Sequence, residues 1–168
     1  LDFPEEDVCQ IGIGCMVSRV GITPGIRQLM EVARELTPAE RLELKKYPAM
    51  TWHTLERITD MSNIARQVAW QINERWNGSG YPRGRVGKQI HPLARLAAVS
   101  DVFIALTSDR PYRKALSAYG AVMEVVSSAK QGLFEPAAVR ALLRTTCLFP
   151  IGSYVELTDG SLARVIRN

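Results

Sequence analysis

The sequence predicts a mostly α-helical bundle closed by a small C-terminal β-hairpin. Three observations carry that prediction. Thr37-Pro38-Ala39-Glu40 is a capping box with proline at the first helical position. The stretch from Pro92 to Leu106 is an almost wholly apolar rod, which belongs in the middle of a bundle. Ser153 to Thr158 alternates apolar and polar residues before Asp159-Gly160, a two-residue hairpin signal, and Leu162 to Ile166 returns.

The other elements follow in order. Leu42 and Leu44 continue the helix begun at Thr37. Another helix is expected after Tyr47-Pro48. From Ser62 to Trp76, Ile64, Val68 and Ile72 form a helical stripe with Ala65 and Ala69 beside them, and Gly78-Ser79-Gly80 is expected to end it. Leu93, Leu96, Ala97, Val99, Phe103 and Leu106 make up the central rod. Ser117 is expected to cap a helix ending near Gly132, and Pro136 opens a short one through Leu143. Residues 1–150 are expected to form one helical domain, with 151–168 as its hairpin.

With 168 residues, 46% of them hydrophobic and 23% charged, the chain can bury a real core without staples. No apolar run reaches the roughly 20 residues of a membrane-spanning helix, and no basic-then-apolar signal segment opens the chain. It begins at Leu1, which reads as a fragment truncated at its N-terminus. Cys9, Cys15 and Cys147 lack CxxC spacing and are expected as buried thiols. The net charge of +4 permits an anionic partner, but the basic residues are scattered apart from Arg83, Arg85 and Lys88. No aromatic-interleaved basic stripe points to nucleic acid. Gly12-Ile13-Gly14 lacks the lysine and preceding strand of a phosphate loop. Trp52, Trp70 and Trp76 are expected in the core.

Two stretches are far more specific. Asn73-Glu74-Arg75-Trp76-Asn77-Gly78-Ser79-Gly80-Tyr81-Pro82 and Ser100-Asp101-Val102-Phe103-Ile104-Ala105-Leu106-Thr107-Ser108-Asp109-Arg110-Pro111-Tyr112-Arg113 resemble the HD-GYP family patterns HHERWDGSGYP and ADVFDALTSDRPYR. Leu36 to Glu40 with Lys46-Tyr47-Pro48 is similar to the family's LTPEE…KHP, and Cys15 to Gly21 is similar to ALLHDIG. The resemblance covers essentially the whole chain and implies an HD-type helical bundle. Its known members are bacterial cytoplasmic phosphodiesterases that hydrolyse cyclic di-GMP at an iron or manganese centre, where metal deprotonates the attacking water.

The resemblance also says where the metal ligands belong, and the sequence departs at nearly all of those positions. Ser18 and Arg19 stand for the HD pair, Tyr47 for the histidine of HP, and Ile72 and Asn73 for the HH pair. Asn77 and Ile104 replace two further acidic positions, so Asp101 alone survives as a ligand type. The chain has two histidines, His53 and His91, neither at a ligand position; both are expected to be surface or structural. One carboxylate without a placed imidazole cannot hold a bimetallic centre, so no metal or other cofactor is expected. A guanidinium about 4 Å from a divalent ion would repel it by about 8 kcal/mol at an effective dielectric of 20. Arg19 is therefore expected to pair with Asp101 as its countercharge; its alternative is a plain surface arginine pointing to solvent.

The Gly78, Gly80, Tyr81 and Pro82 loop is intact. In some family members it contacts diguanylate cyclase (GGDEF) partners; its alternative role is to pack one helix end against the next. Arg110 and Arg113 match positions that approach ligand phosphates in catalytic members. Their alternative is structural, with Asp109 capping a turn and the arginines bracing the GYP loop. The expected function is a catalytically inactive regulatory or interaction module in cytoplasmic cyclic di-GMP signalling. Two alternatives stand beside it: a residual phosphodiesterase, its metal held by Asp101 with Asn73, Asn77 and Glu74, and a metal-free cyclic di-GMP receptor. A protein partner is expected, and no nucleic acid or membrane span.

Overall fold

The computed structural model describes residues 3–167. Its helices are α1 (Glu5–Val17), α2 (Pro24–Glu31), α3 (Pro38–Leu44), α4 (Tyr47–Leu55), α5 (Asn63–Gln71), α6 (Pro92–Leu106), α7 (Ala118–Lys130) and α8 (Pro136–Thr145). A 3-10 turn spans Gly87–Gln89, and the chain closes on β1 (Tyr154–Glu156) and β2 (Leu162–Arg164). The architecture is mostly helical with a two-stranded antiparallel hairpin, as the patterning predicts.

Local chemistry fixes the helix starts. Thr37 accepts from the Glu40 amide while the Glu40 carboxylate accepts from the Thr37 amide, so α3 has its full capping box. Thr23-Pro24 repeats the threonine–proline signal at the head of α2. Ser62 and Ser117 cap α5 and α7 through their hydroxyls. His91 caps α6, its Nδ1 accepting from the Leu93 amide, while the exposed His53 bonds Glu56. Both histidines are thus structural or superficial.

The central rod behaves as its composition demands. α6 touches α1, α5, α7 and α8. One side packs Ala98 and Val99 with Val125, Phe134, Ala138 and Val139. The other packs Leu93 and Ala97 with Val68 and Ile72. α1 closes against α5 at Gly14, where an added Cβ would lie 2.6 Å from that of Val68.

Four expectations are corrected. α5 ends at Gln71 rather than Trp76, because the chain turns there to bring Glu74 inward. Trp52, Trp70 and Trp76 are half-buried rather than core; Trp52 and Trp70 pack on each other with ring centroids 4.8 Å apart, and guanidiniums cover the exposed indole of Trp70. Cys9 and Cys147 are exposed and Cys15 is half-buried, since α1 shows only one side to the core and Cys147 lies in the loop after α8. The hairpin pairs Glu156 with Leu162, which leaves more than a two-residue turn. Gly160 takes φ +82 and no non-glycine residue has positive φ among the described residues, so the two-residue type I′ geometry is excluded. Asp159 instead stabilises the loop by accepting the Ser161 amide and hydroxyl.

Candidate functional site

The positions singled out from the sequence gather where the end of α1, the start of α4, the exit of α5 and the middle of α6 meet. Ser18 is buried just past α1 and turns its hydroxyl onto the Cys15 carbonyl. The Thr51 hydroxyl donates to the Ser18 carbonyl at 3.1 Å and accepts the Gly21 amide at 3.1 Å. Gly21 is pressed against α4 so closely that a Cβ would meet the Thr51 nitrogen at 2.2 Å. This clamp aims Arg19 across to α6.

Arg19 Nη2 donates to Asp101 Oδ1 at 2.9 Å, with side chains 45% and 29% exposed. The expected ion pair is therefore formed. Deeper in, Asn73 Nδ2 donates to the Tyr47 hydroxyl at 2.7 Å in a buried contact. The Tyr81 ring meets Tyr47 edge-on at 6.3 Å, and the Tyr81 amide donates to the Asn73 carbonyl. Burial, reinforced by Tyr47, pushes the Tyr81 phenol well above its ordinary range. Burial pulls the Arg75 guanidinium down, partly offset by Tyr81 and Asp101. Burial raises the Cys15 thiol, Asp101 adds to that, and Arg19 opposes it. Asp101 thus acts on three neighbours, which makes the cluster one electrostatic unit. Ile72 is the exception: it turns into the core beside Val68, Leu93 and Ala97.

The donors present do not fit a metal centre. Among the described residues no three His, Cys, Asp or Glu side chains are grouped to hold an ion, and Oδ1 of Asp101 is already bonded by a guanidinium. The side chains that might have helped Asp101 are engaged elsewhere. Asn73 is bonded to Tyr47. Asn77 accepts from the Ser79 amide and hydroxyl and donates to the Gln131 carbonyl. Glu74, only 2% exposed, accepts the Arg83 amide at 2.8 Å and the Arg85 amide at 3.0 Å.

Glu74 is the residue that sequence reasoning underrated. Its carboxylate is the hub of the turn that follows the Gly78-to-Pro82 loop. Gly80 lies against the backbone of Asn73, Glu74 and Arg75, where a Cβ would come within 2.3 Å of the Arg75 nitrogen. Gly78 (φ +82) and Gly84 (φ +63) supply left-handed turns. An acidic residue followed by a glycine-rich stretch was the available signal, because such loops leave amides needing an acceptor.

The Asp109-to-Arg113 stretch divides its roles. Asp109 caps the turn by accepting the Ala115 amide. Arg113 donates to the carbonyls of Ala105, Leu106 and Lys114, so it braces the end of α6 rather than the GYP loop. Arg110 lines a cavity of about 740 Å³ with Leu29, Val32, Leu36, Val102 and Leu106. Its guanidinium bonds no protein group among the described residues.

Residues 1–138 match the HD domain family. A cyclic di-GMP phosphodiesterase of Pseudomonas aeruginosa is 30% identical over 99% of this chain. The chain belongs to the HD-GYP family. Other relatives include a cyclic di-GMP phosphodiesterase response regulator of Xanthomonas campestris, 37% identical over 86% of the chain, and a 3'3'-cGAMP-specific phosphodiesterase of Vibrio cholerae, 27% identical over 86%. The chain spans 40%, 38% and 30% of these three relatives. No helix among the described residues is long and apolar enough to cross a membrane.

Proposed function

We propose that this HD-GYP domain is a catalytically inactive regulatory module in cytoplasmic cyclic di-GMP signalling, working through protein contacts. The observation that carries the reading is the Arg19–Asp101 pair. The one carboxylate at a ligand position is neutralised by a fixed internal cation, which does for its charge what a metal ion does in a catalytic relative. The Tyr47–Asn73 hydrogen bond fills the adjoining space with two neutral groups. Folding therefore needs no ion at this place, and phosphodiester hydrolysis lacks its source of hydroxide. The GYP loop, with Gly78, Gly80, Tyr81 and Pro82, is held by bonds from the Gly78 and Tyr81 amides to the Arg75 and Asn73 carbonyls and is the surface offered to a partner, with a GGDEF-type diguanylate cyclase as the first candidate.

The test is metal content of the purified chain together with cyclic di-GMP turnover in added manganese or ferrous iron. Neither bound metal nor turnover is expected. Turnover that disappears in Asp101→Ala would overturn the reading. A second reading, a metal-free cyclic dinucleotide receptor, is favoured by the uncommitted guanidinium of Arg110 at the mouth of an apolar cavity. Calorimetric titration with cyclic di-GMP tests it: heat that is lost in Arg110→Ala supports it, and no heat at high ligand concentration removes it.

A further inference from the structure

The basic cluster of Arg83, Arg85 and Lys88 is better organised than its exposure requires. The buried Glu74 carboxylate accepts the amides of Arg83 and Arg85, so the backbone is pinned at both arginines. Above it, the guanidiniums of Arg83 and Arg85 lie 5.4 and 5.2 Å from the ring centre of Trp70. Arg85 Nη1 also donates to the Gln89 carbonyl, which ties the ridge to the 3-10 turn carrying Lys88. No carboxylate forms an ion pair with any of the three among the described residues. Two guanidiniums are thus held side by side over one indole, Lys88 follows on the adjoining turn, and none of the three forms an ion pair among the described residues. Holding them in advance lowers the entropy lost on binding an anion.

We infer that the Arg83–Arg85–Lys88 ridge is a docking site for a carboxylate-rich protein segment. This rests on reading the domain as an interaction module, and it gives the partner's chemistry. Nucleic acid fits less well. Useful affinity for a phosphate backbone takes several neutralised phosphates, about 6–10 in strong binders. Base stacking needs an open aromatic face, and Trp70 already has two guanidiniums and Trp52 around its ring. A guanidinium pair matches carboxylates in a bidentate manner that lysine cannot.

The test uses the full chain, a fluorescein-labelled octaglutamate peptide and anisotropy at low salt. Binding is expected to weaken by at least about fivefold in R83K/R85K, which keeps every charge but loses the planar forks. It is also expected to weaken in Glu74→Gln. That substitution makes the chain more positive, so simple charge attraction would tighten binding instead. Arg140→Glu, on the exposed side of α8, is expected to bind nearly as the parent does. The inference is overturned if R83K/R85K binds like the parent, if Arg140→Glu is as damaging as R83E/R85E, or if an eight-nucleotide thymidine strand binds more tightly than the peptide. Hydrolysis of cyclic di-GMP alongside retained peptide binding would remove the inactive reading and leave the ridge intact.

Discussion

Tyr47→Phe and Arg19→Ala separate the two halves of the site energetically. Tyr47 and Asn73 are 4% and 8% exposed, so removing the phenolic oxygen strands the Asn73 amide without a partner. The cost is about 1–3 kcal/mol. The Arg19–Asp101 pair is far wetter, and losing it should cost less than about 1 kcal/mol. Urea denaturation of both variants is expected to give that order; the reverse would make the ion pair the structural keystone. Tyr81 supplies a pH signature. Its phenol is held above the ordinary tyrosine value of 10.0 by burial and by Tyr47. A raised folded value favours the protonated form, so this contribution is full below pH 10 and is lost as pH rises past it. Absorbance at 295 nm should show late tyrosine titration that accompanies unfolding, and Tyr81→Phe should reduce its amplitude. At this scale the Arg19–Asp101 pair was legible, because family spacing put both residues at ligand positions and opposite charges there have one stable arrangement. The Tyr47–Asn73 bond was not, since nothing in a linear pattern says that two replaced ligands become each other's partner. Glu74 read as a helix-end residue because the amides that donate to it lie 9 and 11 residues ahead, beyond any local rule.

Two glycines in α1 have opposite prospects. At Gly14 a Cβ would meet Val68 carbons at 2.6 and 2.7 Å and the Ala65 carbonyl at 2.8 Å. Gly14→Ala gains about 1 kcal/mol of helix propensity but must separate α1 from α5, which costs about 1–3 kcal/mol or more in a packed core. Net destabilisation is expected. At Gly12 nothing lies within 4 Å, so Gly12→Ala should stabilise by up to about 1 kcal/mol. Thermal denaturation of the two variants should therefore move in opposite directions. The elements were legible where side chains announce them. Capping threonines and serines mark α3, α5 and α7, and Thr23-Pro24 carries the same mark for α2 although the pattern there is short. α1 gives no such mark: Pro4 precedes it without a side-chain cap, and its apolar residues run around the helix, so periodicity is weak. The Gly12-Ile13-Gly14 run looked like a failed phosphate loop; in the fold its second glycine is a helix-contact residue.

For the molecule as a whole, the decisive quantity is whether stability depends on metal. An ion bound only to the folded state stabilises by RT ln(1 + [L]/Kd), about 2.7 kcal/mol at a hundred times Kd. For a chain of 168 residues each kcal/mol is worth about 2–4 °C in Tm, so a real metal centre would raise Tm by about 5–11 °C. The helical bundle and hairpin were legible here from the apolar rod, the caps and the alternating tail. What the pattern could not supply was the reason the bundle closes over a site short of ligands. The structure gives that reason: Arg19 reaches Asp101 from α1 to α6, and Asn73 reaches Tyr47 from the exit of α5 to the start of α4. These links join the segments around Asp101 through protein groups alone. Manganese, ferrous iron or a chelator should consequently leave Tm unchanged to within about 1 °C. Arg19→Ala, which frees the Asp101 carboxylate, should still show no metal-dependent rise of several degrees, because one carboxylate does not make a site. A rise of 5 °C or more in the parent chain, measured by scanning calorimetry, would mean that donors outside this cluster converge on Asp101 and that the internal ion pair gives way to an ion.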